Sequence, residues 1–426
     1  MIATLFLSFA FLLVIEMPVS FSLLISSVLS MALFSDIDLI SIIVKMFRAS
    51  SNFSQIAIPF FILAGGLMDN GGISRRLVKL ASNMIGHLRG GLAHSSVIAA
   101  MFFAGLSGAA AADTAAVGSL LIPAMKEKGY GKDISTAVMA TAGSIGIVIP
   151  PSIPMIILGV TAGISIGGLF MGGVIPGIMM GLSLMVVNYI YTKIRKLDPE
   201  PRASFKEIMH SLVDSFLALF TVVIIVGGIV AGIFTPTEAS IIAAVYAFII
   251  GFFVYKELKF KDLGPILVKT AITTGVVVLT IAAASSFGWI LAAEQIPTQI
   301  ANFLVSLTES RIVLLLLINL LFLVLGTFLD PSAIIIIVVP IIWPVVSALG
   351  VHPLHFGLMT IVNMAIGQCT PPVGIALFVA SGISGAKLSE VLRVHMSYLG
   401  ALVLVLLLVI FIPELSLTIP RLTGYI

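Results

Sequence analysis

The chain has 426 residues, of which 59% are hydrophobic and 10% charged, and its mean hydropathy is +1.22. That composition excludes an ordinary soluble protein and predicts a polytopic helical membrane protein. The net charge of +3 lies in short loops between apolar runs and so reports topology rather than a nucleic-acid partner; the single cysteine, Cys369, excludes an intrachain disulfide framework and a cysteine-based metal site.

The N-terminal MIATLFLSFAFLLVIE lacks a basic leader region and a small-residue cleavage site, and reads as the first membrane helix. Apolar runs follow at 18–34, 54–68, a pair at 93–106 and 114–125, then 134–160 and 169–192. The polar stretch KIRKLDPEPRASFKE (193–207) separates them from runs at 215–233, 238–254 and 266–291, a second pair at 312–328 and 332–348, then 357–380 and 396–412. A full crossing needs about 20 residues. The paired runs are shorter, so each pair reads as a helical hairpin that enters the membrane and returns to the same side.

Loop charge sets the orientation. With both hairpins re-entrant and the N-terminus outside, 18 of the 22 Lys and Arg are cytoplasmic, leaving Lys45, Arg48, Arg311 and Arg421 outside. If either hairpin crossed fully, every later loop would flip and the asymmetry would collapse. The first hairpin then opens to the cytoplasm and the second to the periplasm.

Two stretches carry helix breakers where a membrane helix should run on: Thr141–Pro154 (TAGSIGIVIPPSIP) and Asn363–Val373 (NMAIGQCTPPV). A constant offset of 221 residues matches Gly146 with Gly367, Pro150 with Pro371 and Pro151 with Pro372, and carries Gly105 onto Gly326, Pro123 onto Pro344 and Gly129 onto Gly350. Pro18 and Ser22 match Pro236 and Ser240 at an offset of 218. The expected fold is an all-α polytopic membrane protein of inverted-topology repeats, with two re-entrant hairpins and two broken helices. The first repeat spans 1–192 (helix pair 2–34, hairpin 93–125, broken helix 134–160). A cytoplasmic linker covers 193–214, and the second repeat spans 215–426 (helix pair 215–254, hairpin 312–348, broken helix 357–380). Inverted repeats of this kind are a hallmark of secondary transporters.

Within the bilayer, N–H and C=O groups freed by a break must be satisfied by protein, water or a ligand. The breaks supply carbonyls flanked by Thr141, Ser144, Asn363 and Thr370, a neutral oxygen set that suits a hard cation such as sodium. A packed proline kink explains one break equally well; two at matched positions, each beside a hairpin, favour a site. Asp113-Thr114 and Asp330-Pro331-Ser332 stand where the return helices begin. There an Asp is first of all an N-cap, and the helix start also aims its positive end at a small anion. Glu238 in TPTEAS (235–240) reads as a first-turn cap, and Lys45 and Arg48 as snorkelling interfacial residues.

Other function classes fare less well. Gly105-Leu106-Ser107-Gly108 fits the GxSG pattern of intramembrane serine proteases, yet His87, His94, His210, His352, His355 and His395 all fall in loops or at segment ends, leaving Ser107 without a mid-membrane base. No GxxxxGK[ST] motif occurs and no soluble domain is large enough for ATP hydrolysis. Broken helices also line channel filters, but occluding hairpins in an inverted repeat favour alternating access.

The chain resembles the large membrane subunit of a tripartite ATP-independent periplasmic (TRAP) transporter over essentially its whole length. The resemblance rests on AIPFFILAGGLMDNGGISRRLVKLA (57–81), GLSGAAAADTAAVGSLLIPAMKEKGY (105–130), GSIGIVIPPSIPMIILG (143–159), GIFTPTEAS (232–240), LGTFLDPSAIIIIVVPIIWPV (325–345) and GQCTPPVG (367–374). It implies a non-enzymatic, sodium-coupled symporter of organic anions, such as C4-dicarboxylates or sialic acid, in the bacterial inner membrane. The partners it implies are a periplasmic binding protein and a small four-helix membrane subunit, and the motion it implies is that of an elevator. Proton coupling is the alternative; no cofactor beyond sodium as coupling ion is implied. Carried over by position, one sodium site would use Ser107, Gly108, Asp113, Gly143, Ser144 and Gly146, and the other Gly326, Thr327, Asp330, Gly367, Cys369 and Thr370. Substrate would lie near Thr114, Pro151, Ser152, Ser332 and Pro372.

Overall fold

The computed structural model describes residues 1–426 apart from 36, 52, 198, 297, 298, 300–309 and 373. Val373, at the end of the second break, therefore lies outside the described residues, which form helices and turns with no strand. Helices α1 (Ile2–Val14) and α2 (Val19–Phe34) pack together and lead into α3 (Ile40–Ser50). Lys45 and Arg48, expected as interfacial residues, lie on α3. Its 11 residues are too few to cross the membrane, but ISIIVKMFRAS sets Lys45 and Arg48 against an apolar face and so makes a short amphipathic helix. Helix α4 (Ala57–Asn70) ends at Gly71-Gly72, where a left-handed Gly72 (φ +76°) turns the chain into the basic amphipathic α5 (Ile73–Ile85).

The first hairpin is α6 (Gly91–Ser107) and α7 (Ala110–Glu127), joined by only Gly108 and Ala109. The first broken helix is α8 (Gly131–Ser144), a 3-10 turn at Ile145–Ile147, and α9 (Ile153–Ala162). Helices α10 (Ile166–Ile194), α11 (Phe205–Val230), α12 (Pro236–Val254) and α13 (Phe260–Ala293) follow. Capping boxes start α11 (Ser204 with Glu207) and α12 (Thr235 with Glu238), which gives Glu238 its cap role. The second hairpin is α14 (Arg311–Gly326) and α15 (Pro331–Ala348), and the second broken helix is α16 (Pro353–Cys369) and α17 (Ile375–Ser384). Helix α18 (Leu388–Phe411) and the short amphipathic α19 (Glu414–Leu422) complete the described elements. Among the described residues, α10, α11, α12, α13, α15 and α18 are long and apolar enough to cross a membrane.

Packing interlocks the two halves. Each hairpin lies on the first segment of its own broken helix, α7 on α8 and α14 on α16. Each return helix also lies on the second segment of the other half's broken helix, α7 on α17 and α15 on α9. Hydrogen bonds tie the same seam: Thr136 Oγ1 donates to Ser384 Oγ (2.7 Å) and Lys126 Nζ to the Ser384 carbonyl (2.9 Å). This crossing brings the hairpin tips to one place. Around it, α13 packs against α2, α3, α4 and α15, while α4 packs along α12. At the end bearing most of the basic residues, Arg76 donates to Glu257 (2.6 Å) and Asp214 (3.3 Å) and lies 3.7 Å over the Tyr255 ring, joining α5, α11 and the turn after α12.

Candidate functional site at the hairpin tips

The first tip closes on the first break. Ser107 ends α6, Gly108 turns the chain with φ +62°, and α7 begins at Ala110 with Ala109 as its N-cap. Asp113 is therefore one turn inside α7 and does not cap it. Its carboxylate is fully buried; Oδ1 accepts a hydrogen bond from Ser107 Oγ, and Oδ2 has no partner among the described residues. The break is fitted around that carboxylate: a Cβ on Gly146 would collide with Asp113 Oδ2, and one on Gly143 with Thr114 Oγ1. Gly108 is equally constrained, since a Cβ there would sit 2.9 Å from the Pro151 carbonyl oxygen and 3.1 Å from Ser152 Cα.

The hydroxyls around this carboxylate are occupied. Ser144 Oγ donates to the Thr141 carbonyl (2.8 Å), Ser152 Oγ to the Ile147 carbonyl (2.6 Å), and Thr114 Oγ1 to the Ala110 carbonyl (2.8 Å). Ser152 also caps α9 through the Met155 N–H. The unpartnered Asp113 Oδ2 is the local feature that asks for a cation, because an ionised carboxylate buried without a partner costs several kcal/mol.

The second tip is built from the same residue types with a different outcome. Asp330 is exposed and is the N-cap of α15, accepting from the Ser332 N–H at 2.8 Å. Here the tip meets the break backbone to backbone: a Cβ on Gly367 would lie 2.7 to 2.8 Å from Gly326 Cα, C and O. Thr327 Oγ1 donates to Val324 O and Thr370 Oγ1 to Ile366 O, both within their own helices. Asn363 Nδ2 donates to the Asn319 carbonyl (2.7 Å) and side-chain oxygen (3.1 Å), leaving Asn363 Oδ1 unpartnered and buried. Asn319 is a site residue that the sequence did not single out. The two breaks also touch, with Cys369 Sγ 3.7 Å from Ser144 Oγ.

Histidine placement differs from the expectation that all six lie in loops or at segment ends. His395 sits two turns inside α18, fully buried, with Nε2 donating to the Cys369 carbonyl at 2.6 Å. It satisfies a carbonyl freed by the second break, so its role is structural support of that break.

Between the tips lies a cavity of about 400 Å³ whose wall contains the first residues of four helices: Ala110 and Ala111 of α7, Ile153 and Pro154 of α9, Pro331 and Ser332 of α15, and Ile375 of α17. Helix starts carry free N–H groups and a partial positive charge, so their convergence favours an anion. Of the five substrate residues expected from sequence, Ser332 lines this cavity; Thr114 and Ser152 are buried behind it, and Pro151 and Pro372 stand in the breaks. Asp330 and Gly108, both expected at ion sites, stand in the same wall, and so do Thr273 and Val277 of α13 and Gln368, which the sequence did not single out. Thr270, Thr273 and Thr280 recur at helical spacing in a run whose one other polar side chain is Thr274, a signal that was available.

This architecture has close relatives. Residues 6–415 match the family described as tripartite ATP-independent periplasmic transporter, DctM component. The chain is 41% identical over 403 residues to the C4-dicarboxylate TRAP transporter large permease protein DctM of Pseudomonas aeruginosa, covering 95% of this chain and 94% of that one. It is 40% identical over 410 residues to the sialic acid TRAP transporter large permease protein SiaM of Vibrio cholerae, covering 96% of each. In fold it is similar to the crystal structure of the YdaH transporter of Alcanivorax borkumensis, with a TM-score of 0.65 at 16% identity, over 93% of this chain and 98% of that one. The chain thus belongs to the DctM component family of tripartite ATP-independent periplasmic transporters, whose members are membrane permeases and not enzymes.

Proposed function

We propose that the chain is the large permease of a sodium-coupled symporter for a small organic anion, a carboxylate such as a C4-dicarboxylate or sialic acid. One observation carries the reading: a buried carboxylate oxygen without a partner and a cavity rimmed by four helix starts share one hairpin tip. Sodium bound by Asp113 and the oxygens of the first break compensates the buried charge and fixes Ser107 and the start of α7. The fixed tip then holds its N–H groups ready for the anion's carboxylate. Each ligand strengthens the binding of the other by the same factor, which is the thermodynamic content of symport. The second break contributes neutral oxygens, around Gly326, Thr327, Gly367 and Thr370.

The interlocked hairpins and broken helices form the moving part of an elevator, and α1–α4 with α11–α13 form its frame. The complex lies in the bacterial inner membrane, assembled with a small four-helix membrane subunit and fed by a periplasmic binding protein, with no ATP consumed. The test is uptake of labelled succinate and N-acetylneuraminate into proteoliposomes holding both membrane subunits, with the matching binding protein outside. An inward sodium gradient should drive accumulation. Uptake driven equally well by a proton gradient without sodium overturns the reading.

A further inference from the structure

Helix α13 is 34 residues long and one of its faces lines three cavities in succession. Ile266, Thr270 and Thr273 border a cavity that reaches Ser107 at the first tip; Thr273 and Val277 border the central cavity; Ile281, Ala284 and Gly288 border a third, of about 320 Å³. These positions recur every three or four residues, so they form one stripe. At 1.5 Å per residue the stripe from 266 to 288 runs about 33 Å, the thickness of a bilayer's apolar core. A basic residue stands at each end: Lys269 in the wall of the first cavity and Arg48 in that of the third.

The third cavity is built for an anion. Among the described residues its wall contains Arg48 and no acidic side chain. The other cation of α3, Lys45, lies 5.3 Å over the Trp289 ring, while Arg48 has no ion pair among the described residues. Helix α3 is held to α13 at its start by Ser286 Oγ donating to the Ile42 carbonyl (3.2 Å), and Arg48, towards its other end, lines the cavity together with Ile281, Ala284 and Gly288 of the stripe. Gln55, 4% exposed, lines the same cavity with Oε1 unpartnered, and Thr161 and Ser285 add hydroxyls. An unpaired guanidinium next to neutral hydrogen-bonding groups recognises a carboxylate, and the orphaned Gln55 oxygen accepts from a hydroxyl on the same ligand.

We propose that Arg48, Gln55, Thr161 and Ser285 form a second anion subsite, at the outer mouth of the stripe, which holds a small hydroxylated carboxylate before it enters the central cavity. The proposal rests on the organic-anion reading above for its ligand, but the charge of the subsite is measurable without any transport. Cys369 is the chain's one cysteine and is buried, so Ser285→Cys gives a single accessible thiol. The full-length Ser285→Cys chain in phosphatidylcholine vesicles would be labelled with an anionic (sulfonatoethyl) and a cationic (trimethylammonioethyl) methanethiosulfonate. A guanidinium close to the thiol should shift the anionic-to-cationic rate ratio by about tenfold, and adding Arg48→Gln should remove that shift. A ratio unchanged by Arg48→Gln overturns the proposal. So does a shift lost when phosphatidylglycerol is added, because Arg48 then belongs to a lipid headgroup. In the uptake assay, Arg48→Gln should raise KM about tenfold with little change in kcat, and Arg48→Lys should recover part of it. If the wild-type chain transports neither labelled acid while the labelling shift stands, the substrate reading fails and the anion subsite survives.

Discussion

The two hairpin-and-break units share a pattern and differ in what their acids do. At the offset of 221 that aligns the breaks, Asp330 matches Ala109 and Asp113 matches Ile334. Ala109 and Asp330 are both N-caps of return helices, so the repeat is kept in backbone role. Asp113 has no acidic twin: Ile334 in its place is fully buried and apolar. The first unit therefore holds a sealed carboxylate facing a glycine in the break, whereas the second holds glycine against glycine and an amide pair. One unit carries an ionisable carboxylate at its heart and the other only neutral dipoles. On the proposed sodium coupling, the first unit would bind the cation more strongly, because a carboxylate charge in a dry site outweighs neutral oxygens at similar distance.

The largest expected effect follows directly. Asp113→Asn removes the one charge while keeping the shape of the side chain, so the apparent affinity for sodium in uptake should fall by at least about 100-fold, the scale of a buried charge losing its partner. Asp330→Asn keeps a capping side chain and should change it by less than about threefold. Sodium titration of initial uptake rates measures both; equal losses in the two variants would erase the distinction between the units.

Glycines sharpen the same contrast. Gly367→Ala drives a methyl into the Gly326 backbone, which has no side chain to swing aside, so it should destabilise the protein by about 1–3 kcal/mol, seen as a lower Tm. Gly146→Ala drives its methyl into the Asp113 carboxylate. Its Tm without sodium should fall less than that of Gly367→Ala, and the rise in Tm on adding sodium that the parent protein is expected to show should disappear. Sodium stabilisation retained in Gly146→Ala would separate Asp113 from the cation.

Much of this architecture was legible because membrane helices have few ways to fail. Pro150-Pro151 and Pro371-Pro372 fix the breaks, and the paired apolar runs mark the hairpins. What the sequence hid was the direction of side chains. Asp113 and Asp330 look alike beside a hairpin tip, yet α7 starts at Ala110 and α15 at Pro331, so one Asp is a turn inside its helix and the other precedes it. A difference of four residues in the start of a helix decides whether an acid caps it or is sealed inside it. The lining by α13 was hidden for another reason: it depends on which face of a long apolar helix meets the tips, and that follows from packing across elements far apart in sequence. Helix α3 was missed because 11 residues fall below any span threshold.

The smallest effect tests the second unit's acid as a cap and nothing more. Asp330 accepts a single backbone N–H and is exposed, so its contribution is that of an ordinary helix cap. Asp330→Ala should cost about 1 kcal/mol of stability, and Asp330→Ser, which restores a capping oxygen, should recover most of it. The charge-assisted share is small at an exposed position, so Asp330→Ser should match the parent in sodium affinity as well as in Tm. If Asp330→Ser keeps its Tm but loses sodium affinity, Asp330 is a cation ligand after all, and the two units are functionally symmetric despite their different burial.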